Sequence, residues 1–386
     1  LALILIFLFC LANFWGASVL AKTNNIFTIL KIIVPIVTAM MIMSVAFHHK
    51  NFTWVHDSFM PYGPRSVISA ILTTGIIIAF NGFQTVISFA SEVKKPHHTI
   101  PLSIVISIVF CLGVYLLLQA AFIGSVPTED LAHGWRALVY SAPMVEISAM
   151  LGLGMLTTII YFGATIAPSG TAMAFTGTST RMFTAMARNQ QMPRYFDNVH
   201  PIYGVSRRSL IINTALATLF LFLFRSWSQL AEVLSLFHVI SYLPIPIALC
   251  VMRNNIAKNK YPFRLPFGRT IALFVFTLFT TLFTMGDVHT ILNILIIFAC
   301  TQAIFIALNV KSLQDLLTAF SQCYLLLLYF IGMFALTYFS PENNHHMTEK
   351  NFLVIAVLFS VISFYLLTRT ERNDADLVTS AVKIYD

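Results

Sequence analysis

Apolar runs separated by short polar turns follow one another along the whole chain. Eleven of them lie near the roughly 20 residues a helix needs to cross a bilayer: about 1–21, 26–47, 67–93, 101–124, 143–177, 208–224, 229–252, 270–286, 288–309, 318–339 and 351–368. This pattern predicts an all-α polytopic membrane protein with 11 transmembrane helices in this chain. The run over 143–177 is long for one span and predicts one tilted helix, broken or extended at Pro168-Ser169-Gly170. The two longest loops, about 48–66 and 178–207, are too short to bury a core, so no separate soluble domain is expected.

Composition sharpens this picture. Of the 386 residues 58% are hydrophobic and only 10% charged, and mean hydropathy is +0.82. Soluble domains carry about 25% charged residues. The net charge of +8 is therefore a matter of membrane orientation, and no nucleic-acid partner is expected. Cys10, Cys111, Cys250, Cys300 and Cys323 all lie in apolar runs without CxxC spacing, which predicts neither a disulfide nor a metal site. The pairs His48-His49, His97-His98 and His345-His346 fall in loops and read as solvated residues rather than metal ligands.

Placing the loop after the first span in the cytoplasm and alternating from there puts 17 of the 23 Lys and Arg residues inside and 5 outside, with Lys31 within a span. The asymmetry follows the positive-inside rule, and a single missed span would scramble it. The C-terminus is then cytoplasmic and Leu1 external. Residues 1–21 have no basic n-region and carry Asn13, Trp15 and Gly16, so they do not read as a signal peptide. The chain also begins with Leu rather than Met, and an odd number of upstream spans is expected; a short exported N-terminus is the alternative.

Within the third run, Phe80 is followed by Asn81-Gly82-Phe83. Hydrocarbon cannot satisfy an opened backbone, so a break at this depth is tolerated only where it faces protein or a water-filled cavity. Gly82 permits unwound dihedrals and Asn81 tolerates them. The free N–H and C=O groups of two half-helices would bind the carboxylate and ammonium of a zwitterion, or an ion. The alternative is a plain kink where a neighbouring helix packs closely.

Downstream come Glu92, Lys94-Lys95-Pro96 and Ile100-Pro101. This succession resembles the sixth helix of the amino acid–polyamine–organocation permeases: an apolar segment, a Gly-containing break, an acidic residue, a basic turn ending in Pro, and Ile-Pro. "TSTRMFTAMARNQQMPRYF" (Thr178 to Phe196) resembles that family's loop after its eighth helix, and "YPFRLPF" (Tyr261 to Phe267) its segment after the tenth. The three stretches occur in family order, and the resemblance covers about residues 1–310. It implies the LeuT-like fold of two inverted five-helix repeats plus peripheral helices, with the first span here standing as the family's fourth helix and three spans absent. Residues 1–47 would be the last two helices of the first repeat, and 67–252 the second repeat, broken at 80–83. Residues 270–309 would form a peripheral pair, 318–368 an extra C-terminal pair in a fourteen-helix whole, and 369–386 a cytoplasmic tail. The broken first helix, half of the family's binding site, would be missing.

Lys31 sits about six residues into the second span. An intramembrane amine is a functional residue by default. Snorkelling is the alternative, since six residues rise only about 9 Å. The resemblance implies the first reading: proton-coupled members carry a Lys on the fifth helix, its ammonium standing where sodium-coupled relatives hold their ion. Ser169 and Thr171 lie on the helix that faces that ion site. Their hydroxyls would accept from the ammonium or bond their own helix. Glu92 reads as a proton carrier or gate, or as one half of a structural salt bridge to Arg181 or Arg188. Gln84 falls where several relatives have an acidic gating residue, but it cannot titrate. His238 reads as a buried structural histidine.

The resemblance implies secondary active transport of amino acids by alternating access. The expected mode is proton-coupled symport, with substrate at Phe80, Asn81, Gly82 and Phe83, coupling through Lys31, Ser169 and Thr171, and no cofactor. The protein would be a multi-pass component of the plasma (inner) membrane. An amino acid exchanger of the same fold, or a non-functional fragment of a split permease gene, are the alternatives. A membrane enzyme would need HExxH or paired acids at helical spacing, and none is present in the spans. A channel would need an acidic ring or a filter-like glycine run, and neither is visible. No ionised side chain at the break advertises an acidic or basic substrate.

Overall fold

The computed structural model describes residues 2–14, 17–52, 76–189, 191–223, 226–255, 265–309, 312–341 and 347–369, with a few isolated positions between them. Helices dominate, and no strand occurs among the described residues. In chain order they are α1 (Ala2–Phe14), α2 (Ala17–Val45), α3 (Ile76–Ala79), α4 (Pro96–Ser125), α5 (Pro143–Met150), α6 (Gly154–Arg188) and α7 (Arg207–Leu223). They continue as α8 (Trp227–Tyr242), α9 (Pro244–Asn255), α10 (Gly268–Thr284), α11 (Val288–Asn309), α12 (Leu313–Tyr338) and α13 (Glu349–Arg369). Among the described residues five stretches are long and apolar enough to cross a membrane: Thr28–Val45, α4, α6, Gln229–Asn254 and α13. The pair α10–α11, bent by 111°, makes a sixth if the two helices count as one broken span. Helices satisfy their own backbone groups, so this is the architecture a bilayer permits.

Two boundaries differ from the sequence pattern. The loop expected near residues 22–25 is helical, because nothing between Ala17 and Leu30 is Gly or Pro and α2 runs unbroken for 29 residues. The long run over 143–177 breaks not at Pro168-Ser169-Gly170 but at Leu151-Gly152-Leu153, between α5 and α6. Gly152 has φ 72°, which glycine adopts freely, and its N–H closes a turn on Ala149 O at 3.0 Å. Pro168 stays inside α6, which continues for 35 residues to Arg188, about 53 Å at 1.5 Å per residue.

Residues 1–64 and 82–223 pack as one compact unit, and 65–81 with 224–386 as another. These boundaries cut across the 67–252 segment expected as one repeat. In the first unit, Ala39, Ile42, Ala121, Leu131, Ile147 and Leu156 form a core joining α2, α4, α5 and α6. Gly163 lets α6 approach α2, since a Cβ there would lie 3.1 Å from Val34 Cγ1. Buried Asn13 on α1 donates from Nδ2 to Phe9 O at 2.8 Å and to Met173 O of α6 at 3.2 Å. Asn51 donates to Ile123 O and Val126 O, at 2.8 and 2.9 Å, and holds the segment after α2 against the end of α4.

The second unit centres on Phe276, Tyr329 and Phe364, fully or nearly buried. Thr280 Oγ1 already donates to Phe276 O at 2.8 Å, so Tyr329 O–H is the donor in the 2.7 Å bond between their hydroxyls. Asn343 fastens the α10–α11 elbow: its Nδ2 donates to Gly286 O, Thr337 O and Ser340 Oγ. Asp287 caps α11 by accepting Thr290 N–H at 3.0 Å. The expected cytoplasmic tail, 369–386, lies outside the described residues after Arg369.

Candidate functional site: a broken helix and an intramembrane lysine

The helical path stops where Asn81 and Gly82 interrupt the apolar run. After α3, Phe80, Asn81 and Gly82 form a turn, and Asn81 N–H donates to Ile78 O, three residues back, at 2.9 Å. Gly82 has φ 110° and ψ −14°, outside the range side chains tolerate. From Phe83 to Glu92 the chain continues as a ten-residue 3₁₀ helix. Such helices rarely exceed about four residues, and a long one inside a span marks strain or a hinge.

The expectation of open backbone groups needs correction at Gly82. Its N–H donates to Gln84 Oε1 at 3.1 Å. Its carbonyl accepts from Thr85 N–H at 3.0 Å and from Thr85 Oγ1 at 2.6 Å. Side chains two and three residues on therefore occupy the groups that the break exposes. Gln84, read from sequence as a neutral residue at a gate position, is a cap on the break.

Lys31 on α2 donates from Nζ to Thr171 Oγ1 on α6 at 2.9 Å. Thr171 in turn donates to Ala167 O at 3.1 Å, so its hydroxyl serves the lysine and its own helix together. Lys31 is half-buried and borders a cavity of about 390 Å³ between α2, α4, α5 and α6. That lining is apolar apart from Lys31 and Thr38, a buried residue whose hydroxyl has no partner among the described residues. Ser169 is not drawn to the lysine. Its hydroxyl donates to Thr165 O at 2.8 Å and bridges the turn around Pro168.

Gly82 faces the same helix that holds Lys31. A Cβ built on it would lie 3.9 Å from Phe175 Cζ. Thr171 and Phe175 are four residues apart, so they share one face of α6. Phe175 carries no signal in the sequence, where it is one apolar residue in an apolar run.

The side chain of Glu92 lies outside the described residues. Arg188, one of its expected partners, instead pairs with Asp197, Nε to Oδ1 at 2.7 Å. His238 is half-buried rather than buried and bonds through Nδ1 to Leu234 O at 2.6 Å. Among the described residues no group of three or more His, Cys, Asp or Glu is placed to hold a metal ion. The Thr178–Phe196 stretch is fastened to the start of α7: Ser206 and Ser209 hydroxyls both donate to Phe196 O, at 3.0 and 3.2 Å. Arg208 donates to Tyr195 O at 3.2 Å and stacks 4.2 Å above its ring. Residues 261–264 of the "YPFRLPF" stretch lie outside the described residues.

A family model described as amino acid permease matches residues 1–306. The chain belongs to the amino acid permease family. Permeases of this family are membrane transporters, not enzymes. The glutamate/serine transporter AimA of Bacillus subtilis (strain 168) is 40% identical over 265 residues, covering 68% of this chain and 49% of that protein. The aspartate-proton symporter of the same organism is 36% identical over 280 residues, covering 71% and 53%. The cationic amino acid transporter 3, mitochondrial, of Arabidopsis thaliana is 28% identical over 209 residues, covering 53% and 32%. The chain thus spans about half the length of the two Bacillus permeases it matches.

Proposed function

We propose that this permease carries amino acids across the membrane by secondary active transport, with a proton moving alongside the substrate as access alternates between the two sides. One observation carries the reading. The Lys31–Thr171 bond and the Gly82–Phe175 approach lie one helical turn apart on α6. An ammonium at the first point and a substrate at the second would therefore act on the same rigid segment. The substrate presents an oxygen to Gly82 N–H and displaces the amide oxygen of Gln84, which holds that position when the site is empty. Phe80, Asn81 and Phe83 supply the remaining backbone and ring contacts. Lys31 takes and releases the coupling proton, with Thr171 as its acceptor in the charged form.

Two relatives bear names that include glutamate, serine and aspartate, so these are the first substrates to offer. The reading extends to topology: 11 spans in this chain, the C-terminus in the cytoplasm, residues 67–252 as an inverted repeat of helices before it, and 318–368 as an added pair. The test is uptake by the full protein in proteoliposomes, with and without an imposed proton gradient, wild type beside Lys31→Met at matched incorporation. Gradient-driven accumulation by the wild type and its loss in Lys31→Met is the expected result. Sodium should not substitute for protons. Equal accumulation by the two proteins would remove the coupling role and leave Lys31 a snorkelling residue. No uptake of any of the three amino acids by the wild type would overturn the substrate reading.

A further inference from the structure

A second cavity, polar where the first is apolar, lies far along the chain from Lys31 and the break, at the membrane boundary where α9 and α13 end and α10 begins. It encloses about 660 Å³ and is lined by residues of all three helices. Arg269, second residue of α10, and Arg369, last residue of α13, both border it. No carboxylate is among the lining residues, and neither guanidinium forms an ion pair among the described residues. Arg269 is held in place by its bond to Asn254 Oδ1 on α9. The first turn of α10 has no side-chain cap, so the positive end of the helix adds to the two cations.

The neighbouring Arg253 shows what an arginine looks like when structure consumes it. Its Nη2 donates to Leu265 O at 2.8 Å, and its guanidinium lies against Gly268, where a Cβ would meet Nη1. Arg269 and Arg369 are by contrast exposed, and neither meets a carboxylate among the described residues.

The floor of the cavity is apolar, with Val251, Leu273 and Phe364. The same helices expose Ile271, Phe274 and Leu366, at 40%, 67% and 52%. A cationic mouth over an apolar wall at a membrane boundary matches a phospholipid: phosphate above, acyl chains below. A free phosphate would use the arginines but not the wall. The permease family match ends at residue 306, and α13, which supplies Phe364, Tyr365, Thr368 and Arg369 to the lining, lies beyond it.

We infer that this cavity holds the phosphate of an anionic phospholipid between Arg269 and Arg369, with its acyl chains along α10 and α13. The lipid would fasten the added helix to the permease core. The test uses the full protein in uncharged detergent, titrated separately with phosphatidylglycerol, phosphatidylcholine and inorganic phosphate. The readouts are lipid retention by native mass spectrometry and the melting temperature. Phosphatidylglycerol should be retained and should raise the melting temperature above phosphatidylcholine. Arg369→Gln and Arg269→Gln should each weaken its retention about fivefold, while the corresponding Lys variants keep most of it. Both Gln variants should melt as the wild type does in phosphatidylcholine; Arg369→Gln, at an exposed helix end, is the safer for folding. Undiminished retention of phosphatidylglycerol by the Gln variants would overturn the assignment. Equal stabilisation by inorganic phosphate would replace the lipid by a free anion.

Discussion

Replacing Gly82 by Ala adds one methyl group to the break and fills nothing. The new Cβ would lie 3.9 Å from Phe175 Cζ, ordinary van der Waals contact, so the cost is conformational rather than steric. Gly82 sits at φ 110°, and holding a side-chain-bearing residue in so sparsely populated a region costs about 1–3 kcal/mol. Each 1.4 kcal/mol is about tenfold in an equilibrium. Gly152, with φ 72° and nothing within 4 Å of its would-be Cβ, provides a matched strain at the α5–α6 turn, away from the break. Gly152→Ala should cost about 1–2 kcal/mol. The assay pairs thermal unfolding with initial amino acid uptake per folded molecule in proteoliposomes. Both variants should lose stability; only Gly82→Ala should lose uptake. A Gly82→Ala protein as stable as the wild type would show that the folded chain does not hold φ 110° there. Destabilisation with unchanged uptake per folded molecule would detach the break from substrate binding, and an equal uptake loss in Gly152→Ala would reduce the effect to general strain.

Gln84→Ala removes the acceptor that, under the proposed binding mode, substrate would displace from Gly82 N–H, so the KM for uptake should fall about two- to tenfold, the worth of one neutral hydrogen bond; an unchanged KM would count against displacement. Thr280→Val strands the buried Tyr329 hydroxyl and should cost about 1–3 kcal/mol in a denaturant titration. Adding Tyr329→Phe should recover part of that loss, and strict additivity of the two changes would mean the hydroxyls do not interact.

Five or six of the eleven expected spans are long and apolar enough among the described residues, and they were legible because a bilayer forces every backbone group into a helix, so helix length shows directly as apolar run length. The break at Asn81-Gly82 was legible for the same reason: two poor membrane-helix residues in mid-run need a cause. The α5–α6 break was not, because Pro168 looked the stronger interruption than Gly152. Proline within a membrane helix keeps its place when neighbouring groups satisfy the backbone it frees. Lys31 drew notice as an isolated charge, and the resemblance suggested its hydroxyl partner; only packing separates Thr171, which meets it, from Ser169, which bonds Thr165 O instead. The Gln84 cap depends on one side-chain rotamer, and the Phe175 contact on how α6 crosses the 3₁₀ segment. Neither leaves a periodic trace in the sequence.

What unites these contacts is a single turn of α6. Thr171 accepts from Lys31, Met173 O accepts from Asn13, and Phe175 stands against Gly82. The three positions span about 6 Å of helix axis. The coupling proposed between a proton on Lys31 and a ligand at Gly82 would therefore need no long chain of intermediaries, whose existence would require separate demonstration. It would need only that this turn moves as a body. The same helix is rich in hydroxyls bonded to their own backbone: Thr176, Thr178, Thr180 and Thr184 each donate to the carbonyl four residues back. Bonds of that kind compete with the helical ladder and ease bending. Ser169 and Thr171 bond their helix in the same way, so α6 is eased from the contact turn to Thr184, a physical route by which losing the Lys31–Thr171 bond would tilt the Gly82 side of α6 relative to its far end.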